Sequence, residues 1–254
     1  MTFCGKVVLV TGGSSGIGAA TAIKFSEEKA KITIVGRNKT KLTKVAQQCE
    51  KNHQPFIIIA DLTKEEEMKE IIDKTVKNYG KLDILVNNAG VVRFESILSE
   101  KALETFDKVM AINLKATVHL THFAAPHLIK TKGCIVNISS IGSTAIMHEE
   151  NFAYSTSKAA LDQFSRCVAL ELSTQGVRVN NVNPGPVKTD CLNELIPDIN
   201  EREKEWGQYA GLTPLGKLSK PEEIADIIMY LAGDKAKSIT GSSFVIDNGL
   251  LLRK

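Results

Sequence analysis

The chain has 254 residues, 43% of them hydrophobic and 24% charged, with a formal net charge of +3. That length suits one large α/β domain or two small ones, and the composition excludes a disordered or fibrous protein. The modest charge argues against nucleic-acid binding, no apolar run approaches the ~20 residues that span a bilayer, and Cys4, Cys49, Cys134, Cys167 and Cys191 show neither disulfide nor zinc spacing.

Short apolar runs alternate with longer amphipathic stretches. Strands are predicted at 7–10, 32–35, 56–60, 84–86, 134–138, 177–182 and 244–246. Most are β-branched without polar alternation, as in strands covered on both faces. Helices are predicted at 17–28, 39–51, 64–78, 100–125, 153–174 and 221–232, the last opening on Pro221 followed by two glutamates. Repeated β-α order implies a single Rossmann-type, doubly wound parallel sheet of about seven strands with helices on both faces. No linker or repeat divides residues 1–254, so one domain is expected. The stretch 190–216 breaks the alternation and carries Leu192, Leu195, Ile196, Trp206 and Tyr209 among charges. It reads either as a surface helix pair or as a short helical lid over a substrate.

After the first strand comes Thr11-Gly-Gly-Ser-Ser-Gly-Ile-Gly18, opening a helix. Glycines there permit a tight turn and close approach of a pyrophosphate to free N–H groups at the helix start. The second strand ends Gly36-Arg37-Asn38 with no acidic residue. An acid at this place binds ribose hydroxyls, whereas an arginine accommodates a 2′-phosphate, so NADP(H) is expected in preference to NAD(H). Asp61, after the third strand, is a candidate acceptor for an adenine amino group or a helix N-cap.

Tyr154 and Lys158 stand four residues apart in a predicted helix and so share a face. A cation beside a phenol favours the phenolate, and such a pair can do acid/base work near neutral pH.

Taken in order, these motifs resemble the short-chain dehydrogenase/reductase family over essentially the whole chain. The glycine turn matches that family's cofactor motif, with Gly12, Ser14, Ser15, Gly16, Ile17 and Gly18. Asn87-Asn88-Ala89-Gly90 matches its structural motif on the adenine side. Pro184-Gly185, with Val187 and Thr189, matches the nicotinamide-holding segment, and Leu62 follows Asp61 along the cofactor. Asn113, Ser140, Tyr154 and Lys158 match its catalytic tetrad. The resemblance implies Tyr154 as general acid in carbonyl reduction and base in alcohol oxidation. Lys158 would depress the tyrosine pKa and hold ribose hydroxyls, Ser140 would bond the substrate oxygen, and Asn113 would anchor a water linking Lys158 to solvent. Ser139 and Ser140 are adjacent and point to opposite faces of a strand; the family pattern selects Ser140.

The resemblance further implies a small-molecule carbonyl or alcohol substrate near Ser140, Met147, Leu192 and Trp206. The apolar residues of 190–216 favour a lipophilic one, such as a steroid or isoprenoid. A 3-oxoacyl thioester reductase is the alternative, and a cofactor-binding regulator without turnover the third. His148 reads as a loop histidine, and Cys191 as a small buried filler. A homo-oligomer, tetramer or dimer, is expected through helices 100–125 and 153–174, which carry apolar residues on more than one face. No metal, nucleic acid or membrane insertion is expected. The N-terminus lacks the pattern of a secretory leader, so cytoplasm is the expected compartment.

Overall fold

A computed structural model describes residues 3–193 and 195–253. Seven strands form one sheet in which every neighbouring pair is parallel, in the order β3-β2-β1-β4-β5-β6-β7. They are β1 (Val7–Thr11), β2 (Lys31–Gly36), β3 (Phe56–Ile59), β4 (Ile84–Asn87), β5 (Cys134–Ile138), β6 (Arg178–Pro184) and β7 (Ser243–Ile246). The helices are α1 (Gly16–Glu27), α2 (Lys39–Gln48), α3 (Glu65–Tyr79), α4 (Ala102–Met110), α5 (Ala116–Thr131), α6 (Phe152–Ser173), α7 (Ile199–Leu212) and α8 (Pro221–Ala232).

Side-chain alternation along each strand divides the core in two. Val8 and Val10 of β1, Ile84 and Val86 of β4, and Cys134 and Val136 of β5 face one cluster, which includes Phe25 of α1 and Ile224 and Ile228 of α8. Val7, Leu9, Leu85 and Ile135 face the other, with Ile71 and Ile72 of α3 and Leu120 and Leu128 of α5. Each such buried side chain contributes about 1.5–3 kcal/mol. Strand order reverses between β1 and β4: β1 pairs directly with β2 on one side and with β4 on the other. At such a reversal the connections leave in opposite directions and open a crevice at the carboxyl ends of the strands.

The stretch read as one helix over 100–125 is two helices joined by a π turn at Ala111–Lys115. The second continues through Pro126 to Thr131. The carbonyl that Pro126 leaves without a donor belongs to His122, an exposed residue that water reaches. The 190–216 segment holds a short 3₁₀ turn, Asp190–Leu192, and one helix, α7, capped by Asp198, which accepts from Asn200 N and Glu201 N at 2.9 Å each. Among the described residues, no helix is long and apolar enough to cross a membrane.

Candidate active site

One cavity of about 1050 Å³ runs along the crevice from Arg37 to Trp206. The glycine turn forms its floor, and packing dictates the glycines. A Cβ on Gly12 would lie 2.8 Å from Asn88 Nδ2, and one on Gly13 2.9 Å from Ile34. Gly12 and Gly16 also take φ of +64° and +53°, where side chains are strained. Thr11 ties this turn to the end of β4: its hydroxyl accepts from Asn88 N (3.0 Å) and Ala89 N (3.1 Å), while Asn88 Nδ2 donates to Thr11 O (2.8 Å). Ser15 makes no side-chain cap bond, so the first N–H groups of α1 are available to an anion.

Gly18 does not line the cavity; a Cβ there would meet Gly12 O at 2.3 Å and Asn88 Nδ2 at 2.5 Å. Its role is to let α1 pack against the turn. Gly18→Ala is therefore expected to lower stability by about 2 kcal/mol or more, as overpacking against backbone does. A melting temperature within a degree of wild type would contradict this.

The other residues matched to the cofactor motifs do line the cavity, from Ser14 and Ile17 through Leu62, Ala89 and Gly90 to Pro184, Gly185, Val187 and Thr189. Arg37 is exposed at its outer end, beside Asn38, Lys39 and Lys41. Asp61 caps a turn rather than the helix: its Oδ1 accepts from Thr63 N (3.0 Å) and Thr63 Oγ1 (2.9 Å). Those bonds, and the nearby Arg37 charge, hold its carboxyl below the usual range.

At the inner end, Tyr154 and Lys158 share the cavity face of α6, with Lys158 Nζ 5.7 Å from the Tyr154 ring centre. Ser140 Oγ accepts from Gly142 N (3.0 Å). A Cβ on Gly142 would lie 3.3 Å from both Ser140 Oγ and Tyr154 Cε1, so glycine lets serine and tyrosine close together. Ser139 Oγ donates to Lys158 O at 3.4 Å. Lys158 is 4% exposed and donates to Ile138 O at 2.8 Å.

The expected net depression of the tyrosine pKa is corrected. Burial pushes Tyr154 up to about 12, and its hydrogen bond with Ser140 opposes the rise. Burial also brings Lys158 down to about 8, with Asp162 resisting. Low polarity disfavours both charged forms, leaving a neutral phenol beside an ammonium that ionises close to neutral pH.

Asn113 lies on the π turn, behind the cavity wall. Its Oδ1 accepts from Val91 N (2.8 Å), and its Nδ2 donates to Val91 O and Ser157 Oγ (3.0 Å each). The extra residue of a π turn redirects a side chain that a regular helix would aim elsewhere. Gly90 stands between Asn113 and Lys158: a Cβ there would lie 3.4 Å from Asn113 Oδ1 and 3.6 Å from Lys158 Nζ.

Three supporting residues escaped the sequence reading. Asp162 accepts from Asn181 Nδ2 (3.0 Å) and Asn183 Nδ2 (2.9 Å), and Asn183 also donates to Ser140 O (3.1 Å). The visible signal was polar residues at alternate, inward-facing positions of β6, where apolar ones are the rule.

Met147, Leu192, Trp206 and Tyr209 line the substrate end, whereas Leu195 and Ile196 do not. Cys191 also opens onto the cavity rather than filling the core, though crowding by its neighbours keeps its thiol pKa raised. His148 packs against Phe94 with the rings tilted by 39° and their centres 4.5 Å apart. Among the described residues, no cluster of His, Cys, Asp and Glu could hold a metal.

A family profile described as Enoyl-(Acyl carrier protein) reductase matches residues 12–251. The chain is also 36% identical over 253 residues to a 3-oxoacyl-[acyl-carrier-protein] reductase of Thermotoga maritima, covering 98% of each. This chain belongs to the short-chain dehydrogenase/reductase family. A Serratia marcescens protein named meso-2,3-butanediol dehydrogenase is 32% identical, covering 98% of this chain and 96% of its own. A Caenorhabditis elegans short-chain dehydrogenase/reductase of unknown function, crystallised with cofactor, superposes with a TM-score of 0.92 at 36% identity, covering 98% of this chain and 96% of that one. The chain is thus an oxidoreductase of the kind that acts on carbonyl and alcohol groups with a nicotinamide cofactor.

Proposed function

We propose that the chain is an NADP(H)-dependent oxidoreductase interconverting a carbonyl and a secondary alcohol on a lipophilic small molecule, with Tyr154 as general acid/base. The observation that carries this reading is one continuous cavity with a glycine turn at one end and Ser140, Tyr154 and Lys158 at the other. The glycine turn fits a dinucleotide, since it lines the cavity and Ser15 leaves the first N–H groups of α1 uncapped for a pyrophosphate. Gly12, Ser14, Ser15, Gly16 and Ile17 would hold its pyrophosphate, and Pro184, Gly185, Val187 and Thr189 its nicotinamide. When bound, the cofactor supplies or accepts the hydride.

The protein does the rest. Ser140 donates to the substrate oxygen and stabilises charge as it develops there. Tyr154, held protonated, gives its proton to that oxygen in reduction and takes it back in oxidation. The Lys158 ammonium, beside the ring and a wall of Gly90, favours the phenolate as the proton leaves. Asn113 anchors the water through which Lys158 exchanges protons with solvent. Leu192, Trp206 and Tyr209 cover the substrate and exclude water. Phe106, Phe123, Phe164 and Val168 stay half-buried on α4, α5 and α6, which supports pairing with a second copy, as a tetramer or dimer. The cytoplasm remains the proposed compartment.

Arg37, with Lys39 and Lys41 beside it and no acid at the end of β2, supports NADP(H) over NAD(H). A charged hydrogen bond contributes about 1.5–3 kcal/mol, or roughly ten- to a hundredfold in affinity. Replacement of Arg37 by aspartate is expected to shift the kcat/KM ratio of NADPH to NADH toward NADH by that factor. An unchanged ratio would remove Arg37 from cofactor selection while leaving the chemistry intact.

The second reading is a 3-oxoacyl thioester reductase, supported by the name of the Thermotoga maritima relative. Carrier-linked 3-oxoacyl substrates, tested beside free ketones, separate the two.

A further inference from the structure

Helix α6 carries a third polar residue in line with Tyr154 and Lys158. Asp162 comes one turn after Lys158, as Lys158 comes one turn after Tyr154, and side chains so spaced are neighbours on the helix surface. Asp162 is 5% exposed and does not line the cavity. A carboxylate is seldom buried that deeply unless its charge is matched. Its partners are two amides of β6 on the same side of the strand. Asn181 Nδ2 donates to Oδ1 at 3.0 Å and Asn183 Nδ2 to Oδ2 at 2.9 Å.

Asn183 carries the connection to the site. Its Nδ2 also donates to Ser140 O and Ser143 Oγ, 3.1 Å each, at the 3₁₀ turn that follows β5. A carboxylate and a carbonyl only accept, so Asp162 and Ser140 O together fix which end of the amide points at the serine. Both asparagines leave a buried Oδ1 without a partner. Native structures seldom tolerate such an atom without a reason, and here the arrangement keeps both amide nitrogens on the carboxylate.

The same carboxylate acts on Lys158, favouring its charged form against burial. The other groups at that ammonium are neutral: Ile138 O of β5, Gly90 after β4 and, across Gly90, Asn113 of the π turn. Tyr154 stands beside it on α6, and the Cys191 thiol acts on the phenol from the 190–216 segment.

We infer that Asp162 is a positioning residue for the reaction: through Asn183 it fixes the backbone of Ser140, and by its charge it keeps Lys158 an ammonium beside Tyr154. The inference rests on the oxidoreductase reading above. One carboxylate thereby serves both the serine that holds the substrate oxygen and the cation that eases proton loss. Asp162→Asn removes the charge and sets an amide nitrogen where an oxygen accepted, so one β6 amide has to turn or lose its bond.

The test follows reduction of phenanthrenequinone across pH by wild type, Asp162→Asn and Asn183→Ala, with NADPH and NADH in turn. Wild type needs the Lys158 ammonium, so its kcat is expected to fall as pH rises through about 8. In Asp162→Asn that fall is expected at least about one pH unit lower. The loosened serine is expected to cut its kcat about tenfold or more, with cofactor affinity as in wild type. Asn183→Ala is expected to lower kcat with the fall left at the wild-type pH, since the charge remains. An Asp162→Asn profile that coincides with wild type, or one merely scaled down with the fall unmoved, would overturn the inference. Should Asp162→Asn not fold, the double variant with Lys158→Met decides. Folding restored by the methionine supports the coupling of the two charges, and a double variant that stays unfolded overturns it. Wild type without turnover of the quinone with either cofactor defeats the oxidoreductase reading and this inference with it.

Discussion

Tyr154→Phe is expected to lose about a thousandfold or more in kcat while binding cofactor as wild type does. The substitution removes one oxygen from a side chain between Ser140 and Lys158 and leaves the ring that packs there. Proton transfer by a positioned group contributes about 10²–10⁴-fold, and no other acid among the described residues shares hydrogen bonding with Ser140. In the proposed reading, cofactor affinity depends on the glycine turn and on Arg37, which line the far end of the cavity. Titration of cofactor fluorescence checks the binding half of the expectation and initial rates the other. A variant turning over at the wild-type rate would remove Tyr154 from the mechanism. Equal silence in wild type and variant, with cofactor bound in both, would favour a regulator over an enzyme.

Lys158→Met is expected to make the protein inactive and more stable. The ammonium is 4% exposed, and burial brings its pKa from the ordinary 10.5 down to about 8. The folded pKa lies below the unfolded one, so the unfolded chain holds the proton more tightly. The charged lysine therefore opposes folding in full below about pH 8, and the penalty fades as pH rises from about 8 toward 10.5. Methionine removes the penalty, at the expense of the bond to Ile138 O. The balance is expected to favour the variant by roughly 1–3 kcal/mol at pH 7, shrinking as pH rises through that window. Denaturant unfolding at pH 7 and pH 10 measures both ends. Turnover at neutral pH is expected to fall about a hundredfold or more, since no cation remains beside the phenol. A variant less stable than wild type at pH 7 would mean that the Lys158 bond outweighs its burial.

The parallel sheet was legible because its strands are apolar on both faces: Val7 and Leu9 serve one core, Val8 and Val10 the other. The crevice was legible because glycines and a Tyr-x-x-x-Lys pair are rare combinations whose spacing survives in one dimension. The π turn at Ala111–Lys115 was not, since its residues suit a regular helix and only the hydrogen-bond pattern differs. The tyrosine pKa was misjudged because sequence gives the neighbouring charge and hides the burial that outweighs it.

The most direct test of the central claim follows one atom. A lipophilic diketone is incubated with the protein and NADPH carrying deuterium at the transferable position, and the product is examined by NMR for deuterium on the carbinol carbon. The account predicts one deuterium at that carbon with wild type and none above background with Tyr154→Phe. Product without deuterium, or no product from wild type shown to bind the cofactor, would contradict it.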